Sequence, residues 1–393
     1  MPTADHPTPP HFDLTEDQAS IRDSVREFAQ GELAGAARAI DEQAALPTDF
    51  LEQVAELGLL GMPFGEEVGG AGVDWLSFVL ATEEIAEASA AAAYVLVAHT
   101  GLACGTIHAL ASEAQRASLL PPLAGGEAVA ALAHAEPHLG VDLATMHTVA
   151  TPAGDDQPGA FVLRGVKPFV AGAGLAQQFV VTARPTEPKG EEVLVALLQP
   201  DTPGVVVKEA ESLLGMRGAD VRAISIEGAT VPADQVLGGG WIDAGRLAEA
   251  LAPGQLGMTA IALGIGRAAM TQAADYGLAR HQFNAAIATF PAIQFKLAEM
   301  DARLAGARHA LYHAARLADA GRPFAREAAI ARYLAGDAAR QVTFDAIQVF
   351  GGAGYSREYP LERLWRDAKL TAVAEGKLEA QQYAIAQHLL RRD

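Results

Sequence analysis

The sequence predicts a mainly α-helical protein with a central β domain, and two changes of texture along the chain carry that reading. Residues 1–128 are rich in Ala, Leu and Glu, broken by Gly/Pro clusters such as G-M-P-F-G-E-E-V-G-G-A-G at 61–72, which is the pattern of several helices joined by turns. Residues 129–240 carry short β-rich runs punctuated by Gly, Pro and Asp, and from about 241 to 393 the helical period returns. No strand–helix alternation runs through the chain, an order that is unusual for dinucleotide folds, and no repeat of solenoid length is visible.

Taken in order, the first element opens at Thr15-Glu16-Asp17-Gln18, whose S/T-x-x-Q spacing is that of a capping box. Ile21, Val25 and Phe28 then recur at helical intervals, which predicts an amphipathic first helix. In the middle domain the runs 160–166, 178–183, 193–198, 204–207 and 221–226 read as strands of a small, mostly antiparallel domain. In the last domain Ile293, Leu297, Met300, Leu304 and Leu311 fall along one helical face over several turns.

Composition narrows the function. Half of the 393 residues are hydrophobic, enough for a substantial core in two or three domains. With 29 Lys+Arg against 48 Asp+Glu the net charge is −19, which argues against duplex nucleic acid or an anionic membrane as the main partner. The single cysteine, Cys104, rules out an intrachain disulfide and any multi-cysteine metal site, and it reads as a small apolar filler. The opening M-P-T-A-D-H-P-T-P-P lacks the order of a signal peptide, and no later stretch reads as long enough to cross a bilayer, so the expected location is cytoplasmic.

Several motifs are set aside on context. Gly264-Ile265-Gly266-Arg267-Ala268-Ala269 spells G-x-G-x-x-A, but no strand precedes it, so close helix packing is the better account. The eleven histidines show no metal-ligand spacing and no serine occupies a G-x-S-x-G elbow; no metal is expected.

Four other segments resemble the acyl-CoA dehydrogenase family in the same order. Residues 135–142, A-E-P-H-L-G-V-D, are similar to its T-E-P-x-A-G-S-D stretch, and residues 165–171, G-V-K-P-F-V-A, to its G-x-K-x-[WF]-I-[ST] strand. Arg280-His281-Gln282-Phe283 resembles R-x-x-F, and residues 348–355, Q-V-F-G-G-A-G-Y, match Q-x-x-G-G-x-G-Y. Pro360-Leu361-Glu362-Arg363, Arg366-Asp367 and Glu375-Gly376 follow at matching intervals. The resemblance implies an N-terminal helical domain, a middle antiparallel β barrel-like domain and a C-terminal four-helix bundle. It also implies a homotetramer built as a dimer of dimers, with FAD as cofactor.

Within that resemblance Glu375 is the base that takes the α-proton of an acyl-CoA thioester, while the neighbouring carbon delivers hydride to flavin N5 to give the 2-enoyl-CoA. Such a proton is a very weak acid, so the carboxylate must be desolvated and the developing enolate stabilised. Gly376 keeps the loop slim, and the backbone N–H of the glutamate helps hold the thioester oxygen. Flavin contacts carried over are His134, Ala135, Phe169, Val170, Ala171, Lys377 and Glu379. Arg280, Phe283, Gln348, Gly351 and Gly352 are implied to meet the FAD of a neighbouring subunit, the glycines letting backbone approach its phosphates. Val141 and Gln255 are implied substrate contacts, and an electron-transferring flavoprotein is the implied electron acceptor. In relatives that carry the base on a C-terminal-domain helix, the matching position here is Gly254, so Glu375 is the sole candidate.

The sequence also departs from the family's pattern. Ala135 and Ala171 stand where hydroxyl side chains usually meet the flavin, each such bond being worth about 0.5–1.5 kcal/mol. Val141, Leu213 and Gln255 replace the usual serine, lysine and arginine on the acyl and coenzyme A side, Asn284 and Pro291 replace a glycine and a glutamine, and Lys377 replaces a threonine. These departures motivate two alternatives: a dehydrogenase of acyl groups on a carrier protein, and a catalytically altered, flavin-poor partner subunit of a heteromeric acyl-CoA dehydrogenase.

Overall fold

The computed structural model describes residues 14–137, 143–187 and 191–390. The chain begins with α1 (Glu16–Phe28), and the capping box forms as its spacing predicts: the Gln18 N–H donates to Thr15 Oγ1 at 3.2 Å and the Thr15 N–H to Gln18 Oε1 at 3.1 Å. Helices α2 (Ala37–Gln43), α3 (Phe50–Glu56) and α4 (Trp75–Ala88) follow. Asp74 caps α4 through the Ser77 N–H at 2.7 Å and accepts from Gln18 Nε2 at 2.6 Å, so one carboxylate starts one helix and ties it to another. Next come α5 (Ala90–Leu96), a π-helical turn (Val97–Cys104), α6 (Gly105–Leu110) and α7 (Glu113–Ala124).

The run Ala90–Leu110 corrects one expectation. It is 21 residues long with a mean hydropathy of 1.5, which satisfies length and composition for a membrane crossing, but all of its apolar window is buried inside the fold. A helix apolar on every face is a core helix when protein surrounds it. Cys104 is buried here, and desolvation pushes its thiol far above the ordinary range.

The middle region holds β1 (Ala130–Ala133), β2 (Val149–Pro152), β3 (Phe161–Val170), β4 (Gln178–Pro185), β5 (Glu192–Leu198), β6 (Val205–Ala210), β7 (Arg222–Val231) and β8 (Val236–Asp243). The strand order is β6-β7-β3-β2-β4-β5-β8 with β1 on β4, and every pairing is antiparallel except β1–β4 and β2–β4. Sequence reading finds β3 to β7 and misses β1, β2 and β8. Alanine is a poor strand former, β2 ends in Pro152, and β8 contains three consecutive glycines; neighbouring strands override those weak preferences. His99 couples β1 to the helices: its Nδ1 accepts from the Ala130 N–H at 3.0 Å and Nε2 lies 3.1 Å from Leu123 O, while burial lowers its pKa to about 4, leaving it neutral.

A 36-residue helix, α8 (Ala244–Ala279), then crosses the molecule, followed by the short strands β9 (His281–Gln282) and β10 (Ala285–Ala286) and by α9 (Pro291–Asp319), α10 (Ala325–Phe350), α11 (Leu361–Thr371) and α12 (Leu378–Leu390). The G-x-G-x-x-A stretch lies inside α8 and serves packing: a Cβ at Gly264 would stand 2.6 Å from Glu83 O, and one at Gly266 2.5 Å from Leu304 Cδ2. Buried charges lock the same contact, with Glu83 2.6 Å from Arg308 and Glu84 2.8 Å from Arg267 and 3.0 Å from Arg26. Among the predicted apolar positions of α9, Met300, Leu304 and Leu311 are buried and Ile293 and Leu297 pack against the core.

Candidate active site

The turn between α11 and α12 carries Glu375 and Gly376, with φ values of 51° and 93°. Left-handed backbone at a glutamate is strained, and it persists only where surroundings fix it. Three consecutive carbonyls are held by side chains from three helices: Ala374 O accepts from Arg332 Nη2 of α10 at 3.2 Å, Glu375 O from Gln255 Nε2 of α8 at 2.8 Å, and Gly376 O from Gln381 Nε2 of α12 at 3.1 Å. Among the described residues nothing accepts the N–H of Glu375 or of Gly376. The turn therefore presents free donors at a point where its acceptors are all engaged.

The carboxyl group of Glu375 is buried, the residue being 7% exposed. Its Oε1 accepts from the Tyr94 hydroxyl at 2.9 Å. Burial raises the carboxyl pKa to about 7, against the opposing pull of the Tyr94 hydrogen bond and the Arg332 charge. Burial likewise lowers the Arg332 guanidinium to about 10 and drives the Tyr94 phenol well above its ordinary value, the latter reinforced by the Glu375 charge. A carboxylate poised near neutrality in an enclosed site is suited to proton abstraction.

Gly254 has no room for an acidic side chain, since a Cβ there would stand 2.1 Å from Leu102 Cδ2. Gln255 is adjacent to the site, but its amide nitrogen is committed to the Glu375 carbonyl. Lys377 and Glu379 sit exposed just beyond Gly376.

The end of β3 carries Phe169 and Val170 and leads into Ala171, three of the flavin-implied residues of the middle domain. Phe169 is 45% exposed, while Val170 and Ala171 bury their side chains, leaving only backbone for contact. The fully buried Lys167 anchors this strand to the segment after β1: its Nζ lies 2.7 Å from Glu136 Oε1, and Glu136 also accepts from the N–H groups of His147 and Thr148. His134 and Ala135 are half-buried beside this pair; His134 Nδ1 lies 2.9 Å from Thr182 Oγ1, and burial together with Lys167 lowers its pKa to about 3. Val141 lies outside the described residues.

A second group gathers at the far end of α8. Tyr276 stacks on Phe350 with ring centroids 3.9 Å apart, so the end of α8 meets the end of α10; Arg280 and Phe283 follow Tyr276 in the chain, Gln348, Gly351 and Gly352 flank Phe350, and all five are exposed. Open space surrounds Gly351 and Gly352, and Phe283 is 91% exposed. Arg280 follows Gln255 by 25 residues along α8, a separation of about 38 Å at about 1.5 Å per residue. One chain therefore holds two separate clusters, one around Glu375 and one around Arg280.

Three contributors escape sequence reading: Tyr94, Arg332 and Gln381. Tyr94 sits in A-A-A-A-Y-V-L and Arg332 in a helical run, where a core aromatic and a solvated cation are the ordinary readings. The one available hint is a lone polar tip within an apolar run, since a buried phenol needs a partner.

Known proteins share this architecture. The acyl-CoA dehydrogenase N-terminal, middle and C-terminal domain descriptions match residues 15–127, 131–229 and 238–390. An acyl-CoA dehydrogenase of Bacillus subtilis is 37% identical over 379 residues, 96% of this chain and 99% of that protein. A short-chain specific acyl-CoA dehydrogenase of Clostridium acetobutylicum is 35% identical over 381 residues, 97% of this chain and 100% of that protein. The solved structure of butyryl-CoA dehydrogenase from Megasphaera elsdenii superposes with a TM-score of 0.90 at 34% identity, covering 97% of this chain and 100% of that one. Fold and relatives together define an oxidoreductase. Within that class, the chain belongs to the acyl-CoA dehydrogenase family.

Proposed function

We propose that this protein dehydrogenates short-chain acyl-CoA thioesters between the α and β carbons, with Glu375 removing the α-proton. The observation that carries the reading is the Glu375 turn: a buried carboxyl group with a pKa raised to about 7 beside its own unpaired N–H. The carboxylate takes a proton, and the N–H, with Gly376 opening the backbone, offers a donor to the thioester oxygen as negative charge develops there. The short-chain class follows the printed names of the Clostridium and Megasphaera relatives.

FAD fits the residues present. Phe169 offers an exposed aromatic face at the end of β3, with His134, Ala135 and the backbone of Val170 and Ala171 alongside, and Lys377 and Glu379 follow the Glu375 turn, both exposed. When bound, FAD supplies the acceptor for the hydride leaving the β carbon. Arg280, Phe283, Gln348, Gly351 and Gly352 would hold the phosphate and adenosine end. The roughly 38 Å along α8 between the two clusters, with Phe283 91% and Tyr355 92% exposed, supports an assembly in which one copy completes the flavin site of another. That assembly is a homotetramer in this reading, with an electron-transferring flavoprotein as the electron acceptor.

The test is bleaching of bound flavin by a panel of acyl-CoAs of increasing chain length, with acyl groups on a carrier protein as the contrasting set. Rapid bleaching by four-carbon acyl-CoA that declines with chain length is expected. Bleaching by carrier-bound acyl groups alone would move the substrate to the carrier protein.

A further inference from the structure

Tyr94 is 281 residues from Glu375 in sequence, 2% exposed, and the only side chain with a polar tip in the apolar helix α5. The helix is fixed at its start by Ser89, which caps the Ala92 N–H, and at its end it runs straight into the π-helical turn. A buried phenol loses its bond to water and requires an acceptor, and here that acceptor is Glu375 Oε1. Among the described residues nothing donates to Glu375 Oε2. On α10, Arg332 is fully buried; its Nη2 donates to Ala374 O, while Nε and Nη1 have no acceptor among the described residues. Burying a guanidinium with two unsatisfied nitrogens is costly, and the nearby negative charge that offsets it is the Glu375 carboxylate.

We propose that Tyr94 and Arg332 are positioning residues for Glu375: the phenol pins Oε1 and leaves Oε2 as the proton-accepting oxygen, while the guanidinium fixes the turn through Ala374 O and supplies the counter-charge. The proposal rests on the reading of Glu375 as the base. Among the described residues, charged or titratable groups act on the carboxyl from α5 and α10 alone; α8 and α12 present the amides of Gln255 and Gln381, and the neighbouring Lys377 is exposed. Tyr94 and Arg332 both oppose the upward push of burial, so removing either moves the carboxyl further up.

The variants are Tyr94→Phe, which keeps the ring, Arg332→Met, and Arg332→Lys, which keeps the charge, each in flavin-loaded protein. Glu375 is titrated directly by infrared difference spectroscopy of its carboxyl stretch, with Glu375→Gln as the blank, and the pH dependence of flavin reduction by butyryl-CoA is measured in parallel. In Tyr94→Phe and Arg332→Met the titration midpoint is expected to rise by about one pH unit. Flavin reduction at pH 7 then falls several-fold and recovers by about pH 9, while Arg332→Lys retains the wild-type midpoint. A midpoint unmoved in Tyr94→Phe overturns the proposal whatever the activity, and so does a rate lost equally at every pH. If wild-type protein is not bleached by any acyl-CoA yet the midpoint still rises in Tyr94→Phe, the base reading fails and the anchoring of the carboxyl group is upheld.

Discussion

Glu375 is expected to cost the folded protein stability at neutral and alkaline pH, and Glu375→Gln to recover it. The carboxyl pKa is about 7 in the fold against an ordinary value of 4.5, so between those pH values the folded state binds more protons than the unfolded chain. Stability therefore falls as pH rises through that window: the favourable state is complete below about pH 4.5 and lost above about pH 7. A shift of that size corresponds to about 3 kcal/mol at pH 8 and about 1 kcal/mol at pH 5. Glutamine keeps an oxygen to accept from Tyr94 and never ionises, so the variant escapes the penalty. Urea unfolding at pH 5 and pH 8, at matched protein and flavin concentrations, reads the difference. The advantage of Glu375→Gln over wild type is expected to grow by about 2 kcal/mol from pH 5 to pH 8. An advantage independent of pH would refute the claim that an ionised carboxylate is held away from water in the fold.

The remaining predictions concern the scaffold and the assembly. Lys167→Met strands the buried Glu136 carboxylate and is expected to destabilise by about 3–5 kcal/mol, measured by the same urea titration; a loss near zero would mean that Glu136 is solvated. Gly264→Val drives side-chain atoms into the backbone of α4, where Glu83 O is 2.6 Å from the first carbon added, and should lower stability by about 1–3 kcal/mol or more. Phe283→Asp places charge on a 91% exposed ring and is expected to reduce the assembly mass seen by light scattering and to release flavin; an unchanged mass would remove this face from the subunit contact.

What the sequence revealed depended on how local each signal was. The capping box at Thr15 and Gln18 needs only four residues, and the apolar face of α9 needs only a helical period, so both could be read directly. The strand β1, A-A-L-A, has no local tendency to extend and forms because β4 and the His99 ring receive it. The run Ala90–Leu110 does not read from sequence as a single long apolar span, yet it folds as one buried helical run, with Gly101 packed so close to α8 that a Cβ there would stand 3.3 Å from Gly254 Cα. At the site, Glu375, Gly376 and the glycine-rich end of α10 were legible through family motifs. The side chains that govern Glu375 were not. Tyr94, Arg332 and Gln381 each contribute one hydrogen bond to the turn, and two of those bonds join residues 281 and 42 positions apart in sequence.

Single-turnover flavin reduction by butyryl-CoA, followed in wild-type protein and in Glu375→Gln at pH 8, tests the central claim most directly. Loss of the base is expected to slow reduction by about 10²–10⁴-fold with little change in the acyl-CoA concentration giving half-maximal rate. Reduction at an equal rate in the two proteins would show that the α-proton goes to some other group.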